Sequence, residues 1–494
     1  MTEARAVAGG LAPWELSATE LGARYRQGAL DPVEAVEACI ARIEEVNPAL
    51  NAVIARRYDE ARAEARAASA RIAAGGAPAL CGVPITVKEF VAVRGMPHTG
   101  GLEHRRHVVA ERDAAVVRRL RGAGAVVLGV TNAPEGGLWH ETNHRIWGRT
   151  RNPHDVSRTP GGSSGGEGAI VAAGGVPLGI GSDTGGSVRI PAGFCGIASH
   201  KPTGGLVPST GHFPLAPGGP GDVPMVIGPL ARHVADLRLA LEVLAVPAGV
   251  DPQCRPPSAQ AWPARPAPPW GEVTVVALPT NGRVRPEVEV ESAVHRAAAV
   301  LEGLGARPAP WEGPSLSGAF EAWAALMADL GGTYREVVAP HRSVLMPLRG
   351  SLLADALRWP AGRSRHTGGV LAILALEAAL GLVPGRAGRA RAARALRETF
   401  DQAMQPNVVL VHPVYPRPAP RHRAIAARSP LDVGCTALFN VTESPVTVVR
   451  AGTDPRGLPI GVQLVGPRGA DALTLAAGAA IEAALGVPAP VDPR

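Results

Sequence analysis

The chain has 494 residues, of which 46% are hydrophobic and only 4% aromatic, so aliphatic side chains must fill most of a large core. Its net charge of +7 does not indicate a nucleic-acid partner, because the arginines are interspersed with acids and no basic run alternates with stacking aromatics. The five cysteines form no CxxC pair, which argues against a disulfide framework or a cysteine zinc site and fits a reducing compartment.

Helix signals mark the first 75 residues of the sequence. Residues 17–20 form a capping box, and residues 31–34 combine an N-cap aspartate, a proline at the first helical position and an acid at the third. The helix predicted after this second signal buries one face, because apolar residues recur at helical spacing: Val33, Val36, Ile40, Ile43 and Val46. A further helix is predicted over about 57–73.

Strand and helix patterns alternate in the next segment. The apolar run GVPITVKEF, residues 82–90, is strand-like. Residues 113–124 predict a helix closed by glycine, and residues 125–130 predict a buried strand. This order is typical of an α/β sheet.

The second half of the chain returns to strand patterns after a glycine-dense segment and a proline-rich connector beyond Asp251. Strands are predicted at four places: 272–278, 407–414, 445–452 and 459–466. Residues 287–400 are mainly helical, and a helix over 470–486 closes the chain. Because both halves supply strands, we expect one sheet and a single domain over 1–494.

Two segments bear on targeting and membranes. The N-terminal sequence MTEARAVAGGLAPWE has no basic segment followed by an apolar core, so no signal peptide is predicted. The most apolar run, residues 370–383, is shorter than a membrane span and contains Glu377, which favours a buried helix. We therefore expect a cytoplasmic protein without a membrane span.

Lysine is nearly absent from this arginine-rich chain and occurs only at Lys88 and Lys201. Lys88 lies in the strand-like run 82–90. A buried lysine can lose its proton and act as a base, whereas arginine stays protonated. Two interpretations are open at this point: a catalytic base held neutral by burial, or a surface lysine where the run turns polar at Glu89.

A first candidate motif is HETNH, residues 140–144, which fits the HExxH pattern of zinc proteases. On a helix His140 and His144 would share one face, with Glu141 as the base. The surrounding Gly, Pro, Thr and Asn residues show no apolar helical stripe, however. A chance match in a loop is therefore the favoured interpretation.

A second candidate is GGSSG, residues 161–165, which fits the GxSxG pattern of a nucleophile elbow. Such an elbow needs a strand that ends directly at the serine. The preceding residues, RNPHDVSRTP, do not predict a strand. This alternative stays open but is weakly supported.

The third candidate is the whole glycine-rich segment 160–205. It lacks both GxxxxGK[ST] and a strand–GxGxxG–helix pattern, so phosphate binding is disfavoured. It offers two serines, Ser163 and Ser187, on backbone that glycines leave open. Main-chain N–H groups can approach a substrate oxygen closely on such backbone, as an oxyanion hole requires.

These motifs together resemble the amidase signature family, and most of all its fatty-acid amide hydrolase-like branch. GGSSGG, GSDTGGSVRIP and KPT follow one another, with GVPITVKEF well upstream. Lys88 and Ser163 are 75 positions apart, and Ser163 and Ser187 are 24 apart, as in that branch. Residues 111–135, 148–153 and 457–466 are also similar in sequence to this family. The resemblance is strong over a signature core of about 80–210 and faint over 255–430.

The resemblance implies a Ser–Ser–Lys triad. Lys88 would be the base, Ser163 the bridging serine after a cis peptide bond to Gly162, and Ser187 the nucleophile. A neutral lysine that takes the proton of one serine lets that serine take the proton of the other, which activates a hydroxyl that is otherwise nearly inert at pH 7.

The resemblance also implies roles for the residues around the triad. The backbone N–H groups expected to hold the oxyanion are those of Thr184, Gly185, Gly186 and Ser187. The residues expected to form a supporting hydrogen-bond network are Ser164, Ser182, Asp183 and Arg189. Gly137 is carried over as a substrate-binding position. Cys195 and Lys201 are expected to pack rather than react, and His200 departs from the family's usual apolar residue.

The fold that the resemblance implies is α/β: one large twisted mixed sheet covered by helices on both faces. The reaction is hydrolysis of a carbon–nitrogen acyl bond through an acyl-enzyme, with no metal or organic cofactor. The expected partner is a small-molecule amide, carbamate or ester with a hydrophobic acyl or aryl part, bound by a variable helical region at about 287–430. A homodimer is also considered.

Two alternatives from other classes remain. One is the glutamine-hydrolysing subunit of a tRNA-dependent amidotransferase, which shares the signature. The other is an inactive scaffold, which is disfavoured because all three triad positions are filled.

Overall fold

The computed structural model describes residues 10–214, 222, 224–245, 254, 266–330, 357–359, 363–381, 385–427 and 429–494. The signature core of about 80–210 lies wholly inside these ranges. Residues 382–383, at the end of the apolar run, lie outside them, and so does most of the proline-rich connector.

The described residues build one eleven-stranded mixed sheet and a separate two-stranded ribbon. The strands of the sheet, in spatial order, are β1 (Val53–Arg56), β3 (Val126–Thr131), β2 (Pro84–Lys88), β6 (Leu178–Asp183), β8 (Val226–Ala231), β7 (Ala198–Lys201), β12 (Val446–Thr453), β13 (Pro459–Val465), β11 (Val408–Pro413), β9 (Thr274–Ala277) and β10 (Arg307–Pro308). The ribbon pairs β4 (Asn143–His144) with β5 (Gly148–Arg149). The expected α/β fold with a large mixed sheet is confirmed.

The helices are interspersed with the strands along the chain. They are α1 (Ala18–Arg26), α2 (Pro32–Leu50), α3 (Tyr58–Ala73), α4 (Ala115–Gly122), α5 (Gly165–Ala172), α6 (Arg189–Cys195), α7 (Val234–Leu244), α8 (Val288–Gly303), α9 (Ala319–Asp329), α10 (Gly368–Gly381), α11 (Arg386–Ala403), α12 (Ser429–Asp432), α13 (Gly434–Val441) and α14 (Asp471–Leu485). The predicted helices over 57–73, 113–124 and 470–486 are confirmed.

The predicted start signals cap the first two helices. The Ser17 hydroxyl accepts from the Glu20 N–H at 3.1 Å, and the Glu20 carboxylate accepts from the Ser17 N–H at 2.8 Å. At the start of α2 the Asp31 carboxylate accepts from the Val33 N–H at 2.7 Å. Four of the five predicted apolar residues of α2 are buried, and Val33 is half-buried. Local capping and burial of one face therefore fix this helix.

Three parallel strands at one end of the sheet position the site. β2 lies between β3 and β6, with Lys88 opposite Thr131 and Val87 opposite Ile180. All residues of β2 are buried, because a parallel strand inside a sheet is covered on both faces. Lys88, Thr131 and Asp183 are the last residues of their strands. The carboxyl ends of parallel strands meet at one edge, so these three side chains belong to one region.

Helices α5 and α6, which follow the two signature serines, are buried over their whole length. Glycine permits this close packing: a Cβ on Gly168 would lie 2.9 Å from the Cβ of Pro191. The glycine-dense composition of this segment therefore brings the two helix starts, and the serines that precede them, close together.

Among the described residues, no helix has both the length and the apolar character needed to cross a bilayer. The five cysteines of the chain all lie in the described ranges, where they are buried and form no disulfide.

Candidate active site

Lys88 is the last residue of β2, and its side chain is wholly buried. Its Nζ lies 2.6 Å from the Ser163 hydroxyl and 3.0 Å from the Ser182 hydroxyl. It also lies 4.9 Å from the centroid of the Phe90 ring. This setting excludes the surface-lysine interpretation of the sequence.

Burial lowers the pKa of Lys88 to about 7, although the negative charges of Asp183, Glu167 and Glu89 oppose the shift. Removal of an ammonium group from water disfavours its charged form. Near neutral pH, Lys88 can therefore lose its proton and become a free amine whose lone pair accepts a proton.

Ser163 follows a cis peptide bond to Gly162, as the resemblance implies, and comes two residues before α5. The backbone of the loop at 139–140 lies against Gly162, since a Cβ there would be 2.5 Å from the Trp139 carbonyl oxygen. Only a glycine fits beside this loop. Ser163 is buried, with 4% of its surface exposed.

Ser187 precedes α6 and is 8% exposed. Its carbonyl accepts from the Ser164 N–H at 3.0 Å, so the two signature serine segments are joined directly through their backbones. The Ser164 hydroxyl lies 3.3 Å from both the N–H and the carbonyl of Ser182. The structure thus brings Lys88, Ser163 and Ser187, together with Ser164 and Ser182, into one region.

The carbonyl groups of the loop before Ser187 are held from outside. The Thr184 carbonyl accepts from the Trp323 indole at 2.7 Å, and the Gly185 carbonyl accepts from the Thr436 hydroxyl at 2.7 Å. In a trans peptide the N–H points away from the preceding carbonyl. The N–H groups of Gly185 and Gly186 therefore point away from these two partners.

The N–H groups of this loop differ in their availability. The Gly186 N–H donates to Asp183 at 2.8 Å, which competes with the oxyanion role expected for it. Those of Thr184, Gly185 and Ser187 donate to no atom of the described residues. Gly186 has φ of 127° and room for no side chain, because a Cβ would lie 2.4 Å from the Thr436 hydroxyl.

Asp183 and Arg189 form a fully buried ion pair at 2.8 Å. The Asp183 carboxylate also accepts from the N–H groups of Gly186 and Val188 and from the Asn440 amide. Burial raises the pKa of Asp183, but the Arg189 guanidinium and these donors outweigh it and hold the pKa well below the ordinary range. Asp183 and Arg189, two of the four residues expected in the supporting network, therefore form a charged pair that holds the loop before Ser187.

Glu167 is a buried acid that the sequence analysis did not single out. Its carboxyl group bonds to the hydroxyls of Thr86 at 2.6 Å and Thr131 at 2.8 Å. Burial raises the pKa of Glu167 to about 8, although these hydroxyls and Lys88 lower it. Glu167 and Lys88 therefore titrate in the same pH range, and Lys88 loses its proton more readily when Glu167 is protonated than when it is ionised.

The remaining predicted residues lie where packing explains them. Gly137 has φ of 77°, and a Cβ there would lie 2.8 Å from the Phe90 ring. The Cys195 thiol bonds to the Pro160 carbonyl at 3.5 Å, and burial raises its pKa far above the ordinary value. His200 bonds to Asp471 at 3.1 Å and joins β7 to α14.

The HETNH segment forms no helix; it is a bend that leads into β4. Glu141 bonds to His422 and Arg423, and His144 bonds to Asn132 at 2.7 Å. No group of side chains in the described ranges could hold a metal ion. The segment therefore lacks the helix on which the HExxH pattern depends.

The GGSSG segment likewise lacks the strand that a nucleophile elbow requires. Residues 160–164 contain no strand, and α5 starts at Gly165. Its geometry therefore differs from the elbow that GxSxG denotes.

Comparison with known proteins agrees with the fold and the motifs. The family described as Amidase matches residues 34–475. Fatty-acid amide hydrolase 2 of Homo sapiens is 32% identical over 95% of this chain and 89% of that protein. One of the subunits of glutamyl-tRNA(Gln) amidotransferase from Anaeromyxobacter dehalogenans is 33% identical over 97% of this chain and 98% of that protein.

The solved structure of 6-aminohexanoate cyclic dimer hydrolase complexed with substrate superposes with a TM-score of 0.76. It is 27% identical and covers 96% of this chain and 98% of that one. These likenesses define the class of the protein as a hydrolase of carbon–nitrogen bonds. The chain belongs to the amidase signature family, and it is an amidase.

Proposed function

We propose that this amidase works through Ser187 as nucleophile, with Lys88 and Ser163 as the proton relay. The observation that carries the proposal is the 2.6 Å contact between the Lys88 Nζ and the Ser163 hydroxyl, in a setting that lowers the pKa of Lys88 to about 7. A general base works best when its pKa lies near the working pH.

In the acylation step Ser187 Oγ attacks the carbonyl carbon of the amide. Ser163 takes the proton of Ser187 and passes its own to the Lys88 amine, which becomes an ammonium. The proton then returns through Ser163 to the nitrogen of the leaving amine as the carbon–nitrogen bond breaks. An ester between the acyl group and Ser187 remains.

In the deacylation step water replaces the amine. The free Lys88 amine accepts a proton from water through Ser163, and the resulting hydroxide equivalent attacks the acyl-enzyme carbon. The bond to Ser187 Oγ breaks, and the proton returns to this oxygen. The products are the amine and the carboxylic acid, and no cofactor takes part in the proposed cycle.

The oxyanion of both steps would be held by backbone N–H groups of the loop before Ser187. The N–H groups of Thr184, Gly185 and Ser187 are available, whereas the N–H of Gly186 already donates to Asp183. Gly186 can contribute only if it shares its proton between Asp183 and the substrate. Fixed donors that need no rearrangement are effective because they are oriented before the reaction begins.

For the substrate, we propose a small amide with a hydrophobic acyl or aryl part, with carbamates and esters as further substrates. Trp323 of α9 is only partly buried, and its indole donates to the Thr184 carbonyl beside Ser187. Trp323 also packs against the core that Leu326 of α9 forms with Phe400 of α11 and with residues of α13. This helix thus combines core packing with an aromatic wall near the site.

A second candidate function is the glutamine-hydrolysing role in a tRNA-dependent amidotransferase, favoured by the likeness to one component of that enzyme. Activity of the purified chain on simple amides separates the two functions. Turnover without partner proteins supports the free amidase. Strict preference for glutamine, with copurifying partner chains, supports the amidotransferase.

A serine-directed phosphonate tests the proposed nucleophile. We expect mass spectrometry to place the label on Ser187, and we expect Ser187→Ala to abolish both labelling and turnover. Ser164→Ala is the matched control, because Ser164 lies beside the relay but is not the proposed nucleophile. Labelling of Ser163 or Ser164 in the wild type would contradict the assignment.

A further inference from the structure

His212 belongs to no motif of the sequence, yet it lies in the same hydrogen-bonded chain as Lys88. Its Nε2 is 2.8 Å from the Ser182 hydroxyl, and its Nδ1 is 2.7 Å from the Pro214 carbonyl oxygen. The side chain is buried, and its ring packs edge-on against Phe90 with centroids 6.1 Å apart. Four groups therefore form one line: Pro214, His212, Ser182 and Lys88.

The direction of each hydrogen bond in this line follows from one group that can only accept. The Pro214 carbonyl has no proton, so the His212 Nδ1 must carry the N–H. Burial lowers the pKa of His212 to about 3, with the nearby Lys88 charge as a second cause, so the ring is neutral at working pH. In a neutral ring with a protonated Nδ1, the Nε2 can only accept.

The Ser182 hydroxyl must therefore donate its proton to His212. Its oxygen is left as an acceptor toward Lys88, 3.0 Å away. Lys88 in its neutral form can then use one N–H for Ser182 and keep its lone pair for the Ser163 hydroxyl, 2.6 Å away. The lone pair is the part of the amine that a base uses.

Without His212 the Ser182 hydroxyl can rotate and donate to Lys88. That bond would occupy the lone pair that Ser163 needs, because an amine has only one. We propose that His212 is a positioning residue, which accepts the Ser182 proton and thereby reserves the Lys88 lone pair for Ser163. This inference rests on the proposed roles of Lys88 and Ser163.

Two substitutions at His212 separate this role from simple packing. In His212→Gln, a side-chain oxygen can reach toward Ser182 and accept its proton. In His212→Asn, the shorter amide can donate to Pro214 but offers no acceptor at the place of Nε2. A packing role that holds the Pro214 segment would favour the asparagine, whereas the proposed role favours the glutamine.

We expect His212→Asn to lower kcat for an amide by about 10- to 100-fold, the size of effect that small misplacements of catalytic groups produce, with KM nearly unchanged. His212→Gln should recover most of that loss. The opposite ranking of the two variants, or equal kcat values in both, would overturn the inference. Thermal unfolding of each variant checks that it is folded before its kcat is compared.

A double-mutant cycle with Ser182 gives a second readout. Because His212 acts through Ser182, adding His212→Asn to Ser182→Ala should cause no further loss of kcat. Additive losses would show that His212 acts by another route and would overturn the inference. Such a result leaves the proposed function intact, which fails only if Lys88 or Ser187 proves dispensable.

Discussion

The two lysines of the chain occupy similar positions but differ in what they contact. Lys88 ends β2 and Lys201 ends β7, and both side chains are fully buried. Burial lowers the pKa of each to about 7. The Nζ of Lys88 meets two hydroxyls, whereas the Nζ of Lys201 donates to the Pro202 carbonyl at 3.1 Å.

This comparison shows that a lowered pKa does not by itself make a base. A carbonyl has no proton to give, so the Lys201 amine has no proton donor in its contact with Pro202. Lys88 faces Ser163, which can give a proton and take another from Ser187. The partner of the amine, more than its pKa, separates the two lysines.

Replacement of each lysine by methionine should give the largest difference between the two positions. We expect Lys88→Met to lower kcat/KM for an amide by about 10³- to 10⁴-fold, near the upper end of the contribution of general acid–base groups. Lys201→Met keeps the apolar stem and should lower it by less than about 10-fold. Steady-state kinetics of the two purified variants measure this. Equal losses would contradict the distinction.

Ser163→Ala tests whether the partner of Lys88 matters as much as the lysine. We expect a loss of about 10²- to 10⁴-fold in kcat, because the relay then has no link between Lys88 and Ser187. The double variant Ser163→Ala, Lys88→Met should be little worse than Lys88→Met alone, since residues that act as a unit are not additive. Multiplying losses would argue against a shared relay.

The pH dependence of kcat/KM should also distinguish the two lysines. Activity should rise with pH through about 7, because the Lys88 amine is active only when it has lost its proton. Lys201→Met should keep this rise, and Lys88→Met should remove it from the residual activity. A rise that survives in Lys88→Met would have to come from another group.

We expect the two lysines to have similar effects on the pH dependence of the free energy of unfolding, although their effects on activity differ. Each pKa is about 7 in the folded protein and 10.5 in the unfolded reference, so between these pH values the folded state binds fewer protons. Stability should therefore rise with pH across that window, by at most about 1.4 kcal/mol per pH unit for each lysine. Denaturant unfolding at several pH values should show a smaller slope in either methionine variant.

The strands of the fold differ in how well the sequence predicts them. The strands at 125–130 and 459–466 were predictable, because long apolar runs leave few alternatives to a buried strand. Strands β7 and β8 were missed. Gly228 and Pro229 lie inside β8, and a proline or glycine in a short run obscures the strand pattern.

The site divides in the same way. Roles for Lys88, Ser163 and Ser187 could be predicted because the motifs around them resemble a family, and the structure places the lysine beside its serine. The contributions of Glu167 and His212 could not be predicted, since their partners are distant in sequence. Thr86 lies 81 positions from Glu167, and Ser182 lies 30 positions from His212. Contacts of this kind leave no local pattern.

The central claim is that Lys88 works as a neutral base and not as a fixed positive charge. Lys88→Arg tests it most directly, because guanidinium keeps the charge but cannot give up its proton near neutral pH. The measurement is kcat/KM for a matched amide and ester in the wild type, Lys88→Ala and Lys88→Arg. We predict that both variants lose most amidase activity and that the ester loses less, since its leaving group needs less protonation. Near-native amidase activity in Lys88→Arg would contradict the claim.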